Sequence, residues 1–190
     1  TLRTNDRIGV RKIEVTPGQE TEAIASLKRN PLIEFAEPDY VRRPLWPPND
    51  VYYGPDQWNL RKINMEAAWA ITRGSPAIKV AVVDTGLDMN QPDRAKNMAS
   101  PFNECTGNSN LSDADGHGTH VSGIIAANSN NSIGVAGVAP DVSLMPIKVE
   151  CVDNNGNSAI YVSTEIDAIE YAADHGAKVI SISLGGPTWL

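Results

Sequence analysis

A chain of 190 residues with 15 glycines, 13 prolines and 41% hydrophobic residues suits one ordinary domain plus a small appendage, and excludes two large domains or a low-complexity chain. No apolar run approaches the roughly 18 residues of a membrane span, and the N-terminus has neither an initiator Met nor a signal-peptide hydrophobic stretch, so the reading frame is expected to begin upstream of Thr1. The net charge of −7 falls wholly on the later part, where Lys148 is the only Lys or Arg between Glu104 and Asp174, a field that argues against nucleic-acid binding and attracts hard cations such as Ca²⁺.

In chain order, residues 8–15 read as a strand, Pro17-Gly18 as a turn, residues 20–29 as a helix and residues 32–35 as a strand. Together they form a small α+β module. Pro38, Pro44, Pro47 and Pro48, followed by Asn49 and Asp50, mark an extended linker that cannot join a sheet or helix interior. The expected boundary separates residues 1–43 from residues 44–190.

Beyond the linker, strands and helices alternate. Asn64 is placed to cap a helix through Ile71, and residues 78–83 form a continuous apolar run typical of a strand buried on both faces. A Gly- and Ala-rich helix is expected from His117 to about Asn128, then a strand over 142–149. A helix over 159–173 has Val162, Ile166, Ile169 and Ala173 on one stripe, with Gly176 as its stop, and residues 178–182 read as a third strand. The alternation predicts an α/β fold, a doubly wound parallel sheet with function at the carboxyl ends of its strands.

Two segments carry chemistry. The strand ending Val82-Val83 releases Asp84 into Thr85-Gly86, a place where a carboxylate either makes a turn or serves a site. Asp-Thr-Gly is also the mark of aspartic peptidases, but those need two such carboxylates in a mostly β fold, and only one is present. The second segment places His117 and His120 three residues apart among glycines at a helix start. No further His or Cys completes a zinc set. A single imidazole base there would benefit from a carboxylate behind it, for which Asp84 is the candidate. His175, at a helix end, reads as a partner for the C-terminal dipole. Cys105 and Cys151 are too few for a disulfide scaffold, leaving one disulfide or two free thiols open.

Val-Ala-Val-Val-Asp-Thr-Gly-Leu-Asp over 80–88 and His-Gly-Thr-His-Val-Ser-Gly over 117–123, with Asn-Asn-Ser-Ile-Gly-Val-Ala-Gly-Val-Ala-Pro over 130–140 and Ser-Ile-Ser-Leu-Gly-Gly-Pro over 181–187, resemble the subtilisin-like serine peptidases. Residues 27–40 resemble the end of the inhibitory pro-segment of these enzymes. The resemblance implies the N-terminal part of a subtilisin-like domain behind a partial pro-segment acting as intramolecular inhibitor and chaperone. It also implies an extracellular monomer acting on peptide or protein substrates, without membrane or nucleic-acid partners. Asp84 would orient the imidazole and His117 would act as general base and acid. Gly156, Asn157 and Ser158 on one side, and Ser183, Leu184 and Gly185 on the other, would pair with substrate backbone. Ser158 stands where the family commonly has Gly, narrowing the outer subsites. A structural calcium ion would be held by the side chains of Asp50, Asp93 and Asn131 and the carbonyls of Asn128, Ile133 and Val135. Both cysteines would border the same cleft, and a Cys105–Cys151 disulfide is one of the two outcomes.

The family's third block, Gly-Thr-Ser-Met-Ala, and its oxyanion-hole asparagine do not occur in the sequence. Ser122 and Ser183 match other positions and are not candidates for the nucleophile. The chain is therefore expected to be inactive as an isolated polypeptide, the serine lying beyond Leu190. The alternative is a non-catalytic, subtilisin-like binding or inhibitor protein. Arg42-Arg43 and the vicinity of Asn49 are the two candidate processing sites.

Overall fold

The computed structural model describes residues 3–5, 7–40 and 47–186. The chain divides into two compact units, Thr1–Pro44 and Leu45–Leu190. The dibasic Arg42-Arg43 lies outside the described residues.

In the first unit, β1 (Arg3–Asn5) and β2 (Val10–Lys12) pair antiparallel. The Pro17-Gly18 turn closes through Gln19 N–H to Thr16 C=O at 3.0 Å with Gly18 at φ 88°, where a side chain would be strained. Helix α1 (Glu20–Lys28) follows, with Glu20 and Glu22 in its first turn and Lys28 in its last, matching the helix dipole. Two expectations fail here. The strand expected over 8–15 is only three residues long. Residues 32–35 form no strand: among the described residues no strand pairs with them, and Leu32 is left 91% exposed.

The second unit begins with α2 (Trp58–Lys62) and α3 (Met65–Trp69). The single helix expected from Asn64 to Ile71 is thus shorter, and Asn64 caps it without a side-chain hydrogen bond because its own backbone is left-handed at φ 60°. The pair docks through Tyr53, Leu60 and Ala136, with Trp69 Nε1 donating to Val138 C=O at 2.8 Å.

Four parallel strands make the main sheet in the order β4 (Phe102–Asn103), β5 (Ser143–Lys148), β3 (Lys79–Asp84), β8 (Ala177–Ile182). Along β3, Val80 and Val82 pack on one face with Leu144, Leu87 and Ala126, while Ala81 and Val83 pack on the other with Met145, Ile147, Ala168 and Ala172. The first face carries α4 (His117–Ala126) and the second α5 (Val162–Asp174). A strand covered on both sides needs apolar residues at every position, which explains the unbroken run of β3. The α/β, doubly wound arrangement is as expected. Between β5 and α5 a hairpin of β6 (Glu150–Val152) and β7 (Ser158–Ile160) takes up residues 159 and 160, where the sequence pattern predicts the start of the helix.

The buried stripe of α5 also differs. Val162 is 71% exposed, Ile166 52% and Ile169 39%, whereas Ala168 and Ala172 are fully buried. Small side chains let the helix backbone lie close to the sheet, so alanines rather than branched residues define its inner face. Among the described residues, no helix is long and apolar enough to cross a membrane.

Candidate active site

Asp84 ends β3, 1% exposed, and Val149 N–H fastens its carbonyl at 3.0 Å. Its Oδ1 accepts from Thr85 N–H at 2.7 Å and from His117 Nδ1 at 2.7 Å. A carboxylate has no proton to give, so Nδ1–H donates, and in the neutral ring Nε2 keeps its lone pair. The imidazole is 44% exposed. One ring nitrogen is thus engaged by a buried carboxylate while the ring reaches solvent. The His117 pKa is raised by the Asp84 hydrogen bond first and its charge next, is opposed by burial, and is raised further, more weakly, by Asp115 and Asp113.

Two backbone features bring these side chains together. Gly116, at φ 90°, turns the chain into α4 immediately before His117. Gly118 lies where a Cβ would approach Gly86 C=O to 2.3 Å and Asp84 Cβ to 3.1 Å, so any side chain there would push the helix off the Asp84 turn. Three further groups join the site, of which Thr85 belongs to the Asp-Thr-Gly turn while Asp113 and Lys148 lie outside any motif that marks them in the sequence. Asp113 accepts from Thr85 Oγ1, Gly116 N–H and both donors of Thr119. Thr85 Oγ1 accepts from Gly118 N–H at 2.9 Å. Lys148, paired in register with Asp84, donates Nζ to Thr85 C=O and to Glu150 at 3.1 Å.

His120 is exposed and makes no side-chain hydrogen bond among the described residues. His175 stacks on Tyr171 at 3.8 Å and its Nδ1 lies 2.8 Å from Tyr171 C=O at the end of α5. Ser122 is 2% exposed and its hydroxyl has no partner among the described residues. No substrate could reach it.

Gly156, Asn157 and Ser158 occupy the tip and first strand position of the β6–β7 hairpin, all exposed. Asp153 braces the tip by accepting from the N–H groups of Asn155 and Asn157 and from Asn157 Nδ2, and these bonds, the Asn157 backbone first, hold its carboxyl below the usual range. Ser183, Leu184 and Gly185 follow β8 at its carboxyl end. Ser183 and Gly185 are exposed, whereas Leu184 packs into the α5-side core. Cys105 and Cys151 form a disulfide with Cα atoms 5.3 Å apart, tying the loop after β4 to β6.

Asp50 and Asp93, 4% and 8% exposed, face a loop in which Asn130, Ser132 and Gly134 all have positive φ. Asp50 accepts from the N–H groups of Asn130 and Asn131, and Asp93 from Asn131 Nδ2 and Val135 N–H. The Asn131 amide oxygen accepts from Ile133 N–H at 3.0 Å. Burial chiefly, and the nearby Asp50 charge, push the Asp93 carboxyl up against these hydrogen bonds. A Cβ at Gly134 would sit 2.0 Å from Asp93 Oδ2. Asp50 and Asp93 are thus two buried carboxylates with no salt-bridge partner among the described residues, oxygen donors of the kind a hard cation prefers, although Asn131 turns its amide N–H rather than its oxygen to Asp93.

The family model described as Subtilase family, peptidase S8, matches residues 75–189. The chain is 38% identical over 181 residues to a thermophilic serine proteinase of Bacillus sp. (strain AK1), covering 95% of this chain and 44% of that protein. It is 44% identical over 139 residues to thermitase of Thermoactinomyces vulgaris, covering 73% of this chain and 48% of that protein. A protease from Pseudoalteromonas arctica superposes with a TM-score of 0.63 at 28% identity, over 74% of this chain and 51% of that structure. The chain thus spans somewhat under half the length of these curated relatives.

Proposed function

The chain belongs to the subtilase family, and on that premise we propose that it is the N-terminal part of a serine endopeptidase zymogen, with residues 1–43 as partial pro-segment and residues 44–190 as the first part of the catalytic domain. The observation that carries this reading is the 2.7 Å contact between His117 Nδ1 and buried Asp84. With Nδ1–H fixed on Asp84, Nε2 is the free base. It would take the proton of a serine hydroxyl supplied from beyond Leu190 as that oxygen attacks the scissile carbonyl, and return it to the leaving amine. Asp84 would stabilise the imidazolium formed between the two steps. The braced hairpin edge at 156–158 and the segment 183–185 would hold the substrate backbone as an added strand. The disulfide favours an extracellular, oxidising compartment.

The test is hydrolysis of a chromogenic peptide. The 190-residue chain is expected to show none above background, and the full-length gene product is expected to show hydrolysis blocked by a serine-directed inhibitor. A folded full-length product without hydrolysis would instead support the non-catalytic binding protein.

Asp50, Asp93 and Asn131, with the carbonyls of Asn128, Ile133 and Val135, would hold a calcium ion, which when bound supplies positive charge against two buried carboxylates. Adding calcium to the metal-free chain should raise its melting temperature, by about 2.7 kcal/mol of stability at a hundredfold excess over Kd. Asp93→Asn should abolish the response. An unchanged melting curve with and without calcium would remove the proposal.

A further inference from the structure

We infer that Asp113 is a positioning residue for the catalytic pair, clamping the turn that carries Asp84 to the first turn of the helix that carries His117. The inference rests on the reading of Asp84 and His117 as catalytic. Asp113 lies in the loop ahead of α4, four residues before His117, and its two carboxylate oxygens accept four hydrogen bonds. Oδ1 takes Thr85 Oγ1 at 2.8 Å and Gly116 N–H at 3.0 Å, and Oδ2 takes Thr119 N–H at 2.9 Å and Thr119 Oγ1 at 2.5 Å.

The direction of every bond in this cluster is fixed. Thr85 Oγ1 accepts from Gly118 N–H at 2.9 Å and Thr119 Oγ1 accepts from Asp88 N–H at 2.8 Å. Each hydroxyl therefore has its proton left for the carboxylate. The result is a closed set of bonds from both sides of the site: Thr85 and Asp88 belong to the segment after β3, and Gly116, Gly118 and Thr119 to the start of α4. Helix α4 has glycine at its N-cap and no side-chain cap of its own. Asp113 and Thr85 meet the helix-start N–H groups of Thr119 and Gly118 instead, where the dipole also favours an anion. Although burial pushes the Asp113 carboxyl up, the hydrogen bonds from Thr119, Gly116 and Thr85 together hold it below its ordinary value.

A clamp of this kind fixes the spacing between the two elements. The His117–Asp84 bond is short-range and directional, so a small sliding of α4 along the Asp84 turn would break it while leaving the core of the helix packed. A carboxylate that only stabilised the loop would act on the imidazole through its charge alone, and loss of the neutral threonine bonds would leave the ring unaffected.

The experiment is NMR on the 190-residue chain, following the His117 imidazole titration and the low-field resonance of its Nδ1 proton. The variants are Asp113→Asn, Thr85→Val, Thr119→Val and Thr85→Ser. The charged groups facing the imidazole are Asp84 at the end of β3 and Asp113 and Asp115 ahead of α4, with Lys148 of β5 engaged by Thr85 C=O and Glu150. Asp113→Asn changes one of these charges directly. Thr85→Val changes none, which makes it the deciding variant. In folded Thr85→Val the His117 titration is expected to fall towards the ordinary imidazole value, with loss or broadening of the low-field proton, and Thr85→Ser is expected to restore both. Thr119→Val should act in the same direction and decides the matter if Asp113→Asn fails to fold. Unchanged titration and resonance in folded Thr85→Val and Thr119→Val would overturn the clamp while leaving the pair intact. A wild-type His117 titrating at the ordinary value without a low-field proton would overturn the pair itself, and the clamp with it.

Discussion

Replacing both Cys105 and Cys151 by serine is expected to lower the stability of the chain by about 4 kcal/mol. The bridge spans 46 residues, and closing a loop of that size removes conformational freedom from the unfolded chain in proportion to the logarithm of its length. The enclosed stretch holds α4, the asparagine-rich loop around Asn131 and all of β5, so the unfolded-state restriction falls on the segment that carries His117 and Asp113. At the roughly 2–4 °C per kcal/mol of a domain this size, the melting temperature should drop by about 10 °C. Urea unfolding of the wild-type and double-serine chains at equal calcium checks the figure. A difference below about 1 kcal/mol would show that the bridge constrains little.

A large expected effect on activity belongs to Asp84. In the full-length product, Asp84→Ala or Asp84→Asn should lower kcat by on the order of 10⁴-fold, the loss seen when the triad carboxylate is removed in serine peptidases, subtilisin included. KM should change little, because the substrate-facing segments lie on the β6–β7 hairpin and after β8. The asparagine variant is the sharper one. Its amide Nδ2–H can turn towards His117 Nδ1, which then becomes an acceptor and leaves the proton on Nε2, where the base should be. A folded variant retaining more than a tenth of the wild-type kcat would rule out the role.

The same pairing gives a pH signature. Because Asp84 raises the His117 pKa in the folded state, the pairing stabilises the fold fully below the unfolded imidazole value of about 6.5 and loses that contribution as pH rises through the raised value. The acid limb of kcat/KM should accordingly lie above the ordinary imidazole range.

Much of the site is legible in the sequence because it rests on local patterns. The apolar run before Asp84 requires a strand covered on both faces, and both faces of β3 are covered. The glycines around His117 mark close backbone approach, seen at Gly118 against Gly86. What the sequence conceals depends on partners distant along the chain. Asp113 has the look of any acidic loop residue, since its significance arises from Thr85, 28 positions earlier. The only local signal is a carboxylate ahead of a helix whose N-cap is glycine. The inner face of α5 runs against the pattern because hydrophobicity favours Ile166 and Ile169 over Ala168 and Ala172, whereas close packing on a sheet selects small side chains. Leu32 to Phe35 has strand-like composition, but among the described residues no neighbouring strand completes it.

The contrast in exposure across the His117–Asp84 contact has a kinetic corollary. The proton on Nδ1 points at a carboxylate that is 1% exposed, while the ring that carries it is 44% exposed. Solvent reaches the ring, but it must wait for the ring to swing away before it can take the proton held between Nδ1 and Asp84. The Nδ1 proton is therefore the long-lived one, and it keeps the neutral ring in the single tautomer from which Nε2 can act as a base.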